Sequence, residues 1–179
     1  MTELHFRRAE LRDTGAIVAL VNSAYRGEYS RAGWTTEADL LDGQRTDAEE
    51  IAELIGRPQS VMLLCFANDR LIGCVHLERI EDDTAYFGMF TVEPSLQGGG
   101  IGKRFLQEAE RTVRAMWGVR KLRMTVISRR HELIAFYERR GFRRTGEREP
   151  FPRDVRFGIP KVDDLEFEVL EKDLERHGR

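Results

Sequence analysis

Residues 90–103 read FTVEPSLQGGGIGK, a strand-like stretch that passes a proline, enters a glycine-rich turn and opens a helix. Ile101, Phe105, Leu106, Ala109, Val113, Met116 and Trp117 recur at helical spacing as far as Gly118, a residue that can stop the run. The first N–H groups of a helix lack acceptors within it, and glycines beside them remove side chains that would hold an anion away. Lys103 and Arg104 stand in the first turn, where the helix dipole favours acidic residues by about 0.3–1 kcal/mol and disfavours cations. Two cations there make sense beside a bound anion, and a phosphate suits the corner. The plainer alternative is a turn whose glycines only close the strand-to-helix junction.

Working outward, VMLLCFA (61–67) and LIGCVHLERI (71–80) flank an Asn68-Asp69 turn, and AYFGMFTV (85–92) follows Asp82-Asp83. Three consecutive strands are expected there, paired antiparallel. Upstream, Leu4, Phe6 and Arg8 alternate as a short strand does. Asp13 is placed to cap a helix carrying Ile17, Leu20, Val21, Ala24 and Tyr25. Thr36-x-x-Asp39 and Thr46-x-x-Glu49 have capping-box spacing, which predicts one or two short helices, the second stopped by Gly56 and Pro58. Downstream come a strand over 121–127, a helix across 131–140 ended by Gly141, a short strand from Phe142, a loop over 149–164 and a last strand, DLEFEVLEK. In that strand Leu165, Phe167 and Val169 share a face. The order β-α-α-β-β-β-α-β-α-β-β predicts an α/β fold of α+β type. Its mixed, mostly antiparallel sheet of about seven strands is flanked by about four helices, in a single domain over 1–179.

The chain's 179 residues, 31 acidic and 29 basic, carry a net charge of −2, which excludes a nucleic-acid binder that works through bulk electrostatics. No apolar run approaches the roughly 20 residues of a membrane span, and charges interrupt the N-terminus where a signal peptide would be apolar. A cytoplasmic protein is expected, with no membrane partner. Cys65 and Cys74 lie in apolar stretches without CxxC or histidine spacing, so buried thiols are expected and no metal.

Spacing tests the phosphate loop. A Walker A loop needs GxxxxGK[ST], but Gln97 stands at its first glycine and Arg104 at its Ser/Thr. A dinucleotide fingerprint counted from Gly98 ends on Lys103 instead of glycine. What fits is Gln97-x-x-Gly100-x-Gly102, which resembles the acetyl-CoA signature of the GNAT superfamily of N-acetyltransferases. ELIAFYERRGF (132–142) is similar to that family's second characteristic segment, and FEVLEK to its last strand. The resemblance implies acetyl-CoA as co-substrate and transfer of its acetyl group to a primary amine of a small molecule or peptide. It also implies that Phe90, Thr91 and Val92 pair through their backbones with the pantetheine arm. The amides of Gln97, Gly98, Gly99, Gly100, Ile101, Gly102 and Lys103 would hold the pyrophosphate. One departure stands out: Arg130 occupies the place, seven residues before Tyr137, where many members have asparagine.

The reaction demands a neutral amine, a polarised thioester carbonyl and a proton for the departing thiolate. The resemblance implies a strand amide near Val92 for the carbonyl and Tyr137 for the proton, since a phenol of pKa ~10 can donate to a thiolate whose conjugate acid lies near ~8.5. A core tyrosine is the plainer reading of the same residue. Cys74, His76 and Glu78 share one strand face, and Tyr86, Gly88, Phe90 and Val92 are expected to share one on the next strand. If the faces coincide, Glu78 or His76 accepts the amine's proton through water; bulk water is the alternative. Tyr25, Glu28, Tyr29 and Trp34, with Glu37 and Asp42, supply aromatic walls and carboxylates for a cationic acceptor, and Arg45 a place for a carboxylate. The expected partner is an amine acceptor and the expected state a monomer or homodimer. A non-catalytic acyl-CoA-binding or regulatory module is the alternative. A nucleic-acid patch of Arg129, Arg130, Arg139, Arg140, Arg143 and Arg144 is disfavoured, because acids interleave with them.

Overall fold

A computed structural model describes residues 3–26, 31, 36–152, 158–162 and 165–174. The chain opens with β1 (Leu4–Arg8) and α1 (Thr14–Tyr25), and after β2 (Leu41–Asp42) comes α2 (Ala48–Gly56). Three long strands follow: β3 (Ser60–Ala67), β4 (Arg70–Glu81) and β5 (Thr84–Val92). Then come α3 (Ile101–Trp117), β6 (Lys121–Ile127), α4 (His131–Glu138), β7 (Arg143–Pro150), β8 (Ile159–Pro160) and β9 (Glu166–Asp173). The predicted order holds, with β2 and β8 added as a two-stranded ribbon. The ribbon falls in segments read as helix and loop, because two residues are too few for a period to register.

Seven strands form one sheet in the order β1-β3-β4-β5-β6-β9-β7, antiparallel at every junction except β5–β6. The β3–β4 hairpin turns through Asn68 and Asp69, both left-handed, as a two-residue turn between twisted strands requires. Helices cover both faces. On one, Ile17, Leu20 and Val21 of α1 and Ile51 and Leu54 of α2 pack on Met62, Leu64, Cys74 and Met89. On the other, Phe105, Leu106, Ala109 and Val113 of α3 and Ile134 and Tyr137 of α4 pack on Leu63, Val75, Leu77, Phe87 and Leu122.

Of two predicted caps, one lacks its side-chain bond and the other is replaced. Asp13 makes no side-chain bond to the start of α1; its carboxylate is held by Arg7 at 2.8 and 2.9 Å and by the Glu10 amide. At α2 the cap is Asp47, which accepts from the Glu50 amide at 2.8 Å, while Thr46 gives its hydroxyl to the Glu50 carboxylate. The spacing expectation was therefore one residue out of register. Thr36 caps a turn and no helix, accepting from the Ala38 amide at 3.1 Å.

Two irregularities of β5 make the functional geometry. Met89 is left-handed with φ 52°, and between Cys74↔Thr91 and His76↔Gly88 the β5 strand holds one residue more than β4. That bulge reverses the alternation of faces. Tyr86 and Gly88 stay on the His76 side, but Phe90 and Val92 join Phe87 on the α3 side, so the expected common face of Tyr86, Gly88, Phe90 and Val92 does not exist. Moreover, β5 pairs with β6 only through Thr84, Ala85 and Tyr86; beyond them the two parallel strands part.

Candidate active site

The parting of β5 and β6 opens a slot with a cavity of about 280 Å³ on each side. Tyr25, Phe90, Arg130, Leu133 and Tyr137 line both.

Phe90, Thr91, Val92, Gln97, Gly98, Gly100, Gly102 and Lys103 line the first cavity, whereas Gly99 and Ile101 do not reach it. Gly100 sits at the N-terminus of α3 with φ 84°, and Gly98 has φ 87°. A Cβ at either would meet nothing within 4 Å, so the left-handed backbone, and not crowding within the protein, calls for glycine there. The Arg104 amide returns to the Gly100 carbonyl, leaving those of residues 101–103 as the open end of the helix. The Gln97 side chain donates to the Val92 carbonyl at 2.8 Å, and its Oε1 is buried with no partner among the described residues. Arg139 and Arg140 of the α4 turn, with Lys103, add positive charge to the cavity wall. Sequence reading considered these two arginines only within a disfavoured nucleic-acid patch. Their i, i+3 spacing from Phe136 and Tyr137 was the available signal. Arg140 lies 3.6 Å from the Phe136 ring centroid.

Tyr137 is buried, its ring edge-on to Phe87, Phe136 and Phe142. Burial first of all holds its phenol pKa well above the ordinary value, so the hydroxyl keeps its proton. That hydroxyl bonds to no other described residue.

The second cavity holds the polar groups. Glu37 bridges two buried guanidiniums, with Arg26 at 2.8 Å and Arg130 at 3.0 Å. Arg130, which replaces the expected asparagine, thereby closes an ion network joining the end of α1 to the start of α4. Tyr25 stands between Arg45 and Arg130, at 5.4 and 5.8 Å from its ring centroid, and its hydroxyl reaches the Phe90 carbonyl at 2.6 Å.

His76 also lines this cavity, but Glu78 does not. The Ser60 hydroxyl gives its proton to the Leu54 carbonyl, so it accepts from His76 Nε2 at 2.9 Å; Glu78 lies 3.1 Å from the same nitrogen. Nε2 therefore carries the proton and Nδ1 the lone pair. Burial lowers the His76 pKa to about 4 against the pull of Glu78, and the ring is neutral. Glu78 is paired with Arg57 at 2.9 Å. Glu28, Tyr29 and Trp34 lie outside the described residues, and of Asp42 only the backbone is described.

Among the described residues no cluster of three metal-ligating side chains occurs, and no helix is long and apolar enough to cross a membrane.

Residues 15–142 match the sequence profile of the acetyltransferase (GNAT) family. No curated protein matches the chain significantly in sequence. Among solved structures it is similar to a protein proposed to be a phosphinothricin N-acetyltransferase, with 22% identity over 97% of this chain and 100% of that one, at a TM-score of 0.71. YncA from Salmonella typhimurium, solved with its cofactor acetyl-CoA, is 20% identical over 98% and 96% of the two chains, at 0.67. Spermidine N-acetyltransferase from Vibrio cholerae, in complex with CoA and spermine, is 18% identical over 95% of each, at 0.69. At these identities the likeness is one of fold.

Proposed function

The chain belongs to the acetyltransferase (GNAT) family, and on that premise we propose that it transfers the acetyl group of acetyl-CoA to a primary amine by direct attack. The observation that carries the reading is the position of Tyr137 between the two cavities, its hydroxyl bonded to no other described residue. One cavity is built for the donor. Its glycine-lined helix N-terminus and the cations Lys103, Arg139 and Arg140 suit a pyrophosphate. Acetyl-CoA supplies the activated thioester. The other cavity takes the amine.

In the reaction the amine nitrogen bonds to the acetyl carbon and the C–S bond breaks. Sulfur takes the Tyr137 proton while nitrogen loses one. Tyr137 holds its proton until the thiolate departs; burial opposes the release, and the nearby Arg130 and Arg140 favour it. The amine's proton leaves by the second cavity. Of the two candidate bases His76 is the better placed, through Nδ1. With so low a pKa it is a relay to water rather than a resting place for the proton. Glu78, held by Arg57, acts through the imidazole.

Incubation with acetyl-CoA and a panel of primary amines, with free thiol as readout, tests the proposal. Amine-dependent thiol release supports it. CoA-induced thermal stabilisation without thiol release from any amine identifies a non-catalytic acyl-CoA-binding module instead.

A further inference from the structure

Arg45 is a guanidinium in the second cavity with no ion pair and no side-chain hydrogen bond to another described residue; it lies against the Tyr25 ring. Burial opposes its charge, and the fields of Glu37 and Tyr25 more than offset that, so the guanidinium stays charged while its N–H groups find no acceptor among the described residues. The neighbouring acids do not neutralise the wall. Glu37 is shared between Arg26 and Arg130, and Glu50 acts on Arg45 through its field without an ion pair. Three cations (Arg26, Arg45 and Arg130) therefore face two carboxylates, and neutral His76 adds no charge. Nor do the donor's phosphates answer Arg45, which does not line the donor cavity.

Resting on the transferase reading, we propose that the acceptor is an amine that also carries a carboxylate, an amino acid, and that Arg45 binds that carboxylate. A guanidinium presents two parallel N–H donors to a carboxylate, and within a half-closed cavity this charge-assisted pair fixes the substrate's orientation as well as its sign. The amine then lies toward Tyr137 and His76, which share the cavity. A polyamine, by contrast, would bring further positive charge to a wall that already has an excess of it.

The test is thiol release from acetyl-CoA with a set of free amino acids, each assayed beside its methyl ester and its decarboxylated amine. The expected result is a kcat/KM at least tenfold higher for the best amino acid than for either derivative. In Arg45→Met that preference collapses through a raised KM for the amino acid, the ester's KM is unchanged, and Arg45→Lys restores part of the loss. CoA-induced thermal stabilisation of the variants reports that fold and donor site survive. Esters or decarboxylated amines reacting as fast as the amino acids in the wild-type protein would overturn the inference while leaving the transferase reading intact; so would an Arg45→Met variant that keeps the preference. Absence of thiol release with every compound would overturn both.

Discussion

The Tyr25 hydroxyl donates a 2.6 Å hydrogen bond to the Phe90 carbonyl, tying the last turn of α1 to the bulge of β5. The bond holds the strand where its alternation reverses, and burial pushes the Tyr25 pKa up to about 12, so the donor proton stays in place. Tyr25→Phe should cost about 1–2 kcal/mol, the usual consequence of leaving a part-buried carbonyl without its donor. Urea unfolding reads the loss, and the same variant should raise the KM for acetyl-CoA. An unchanged midpoint would mean that the bulge stands without the clamp.

Tyr137→Phe keeps the ring against Phe136 and Phe142 and removes only the hydroxyl. Loss of a positioned general acid lowers kcat by about 100-fold or more. CoA should raise the Tm of the variant and of the wild type alike. A fall of less than about threefold would remove Tyr137 from the chemistry.

Two glycines of the sheet separate stability from specificity. A Cβ on Gly73 would lie 2.9 Å from the Thr91 carbonyl oxygen and from the Phe105 ring, so Gly73→Ala should lower stability by about 1–3 kcal/mol. At Gly88 the obstacle is the Tyr86 side chain, its Cε2 at 2.3 Å and its hydroxyl oxygen at 2.6 Å, which can swing away. Since Tyr86 lines the second cavity, Gly88→Ala should raise the amine's KM and leave that of acetyl-CoA unchanged. Steady-state kinetics in both substrates checks the split.

His76 makes stability depend on pH in a defined window. Its folded pKa of about 4 lies below the 6.5 of the unfolded chain, so the unfolded state takes up the proton first as pH falls. The contribution is whole above pH 6.5 and is lost progressively toward pH 4, with Glu78 and Arg57 setting the field around the ring. Asp13, lowered to about 2 chiefly by its bonds to Arg7, acts in a separate and more acid window. His76→Gln should flatten the fall of Tm between pH 6.5 and 4.5; a parallel curve would assign that window to other groups.

Much of the fold was legible because each long element carries many repeats of one period. The stripe from Ile101 to Trp117, the hairpin at Asn68-Asp69 and the alternation of β9 each report the same structure several times over. The glycine-rich turn stood out for a different reason: its glycines and Lys103 are contiguous in the chain, whereas Arg139 and Arg140 join the same cavity wall only through the fold. The acceptor side did not. Arg26, Glu37 and Arg130 are a network only after α1 and α4 meet, and Arg45 acquires its meaning from the lack of an ion-pair partner among the described residues. One extra residue at Met89 also overturned a correct alternation, because a left-handed methionine leaves no trace in a hydrophobic pattern. The caps failed for a smaller reason, since Asp47 and Thr46 are both good capping residues and only geometry decides between them.

The seam between β5 and β6 is three residue pairs long, Thr84–Tyr86 against Lys121–Arg123. A sheet so lightly stitched leaves the remaining closure to whatever fills the slot. On the proposed reading the co-substrate would act as mortar as well as reagent. At a concentration of 100 times its dissociation constant a ligand adds about 2.7 kcal/mol to the stability of the state that binds it. The durability of the fold would then follow the supply of acetyl-CoA around it.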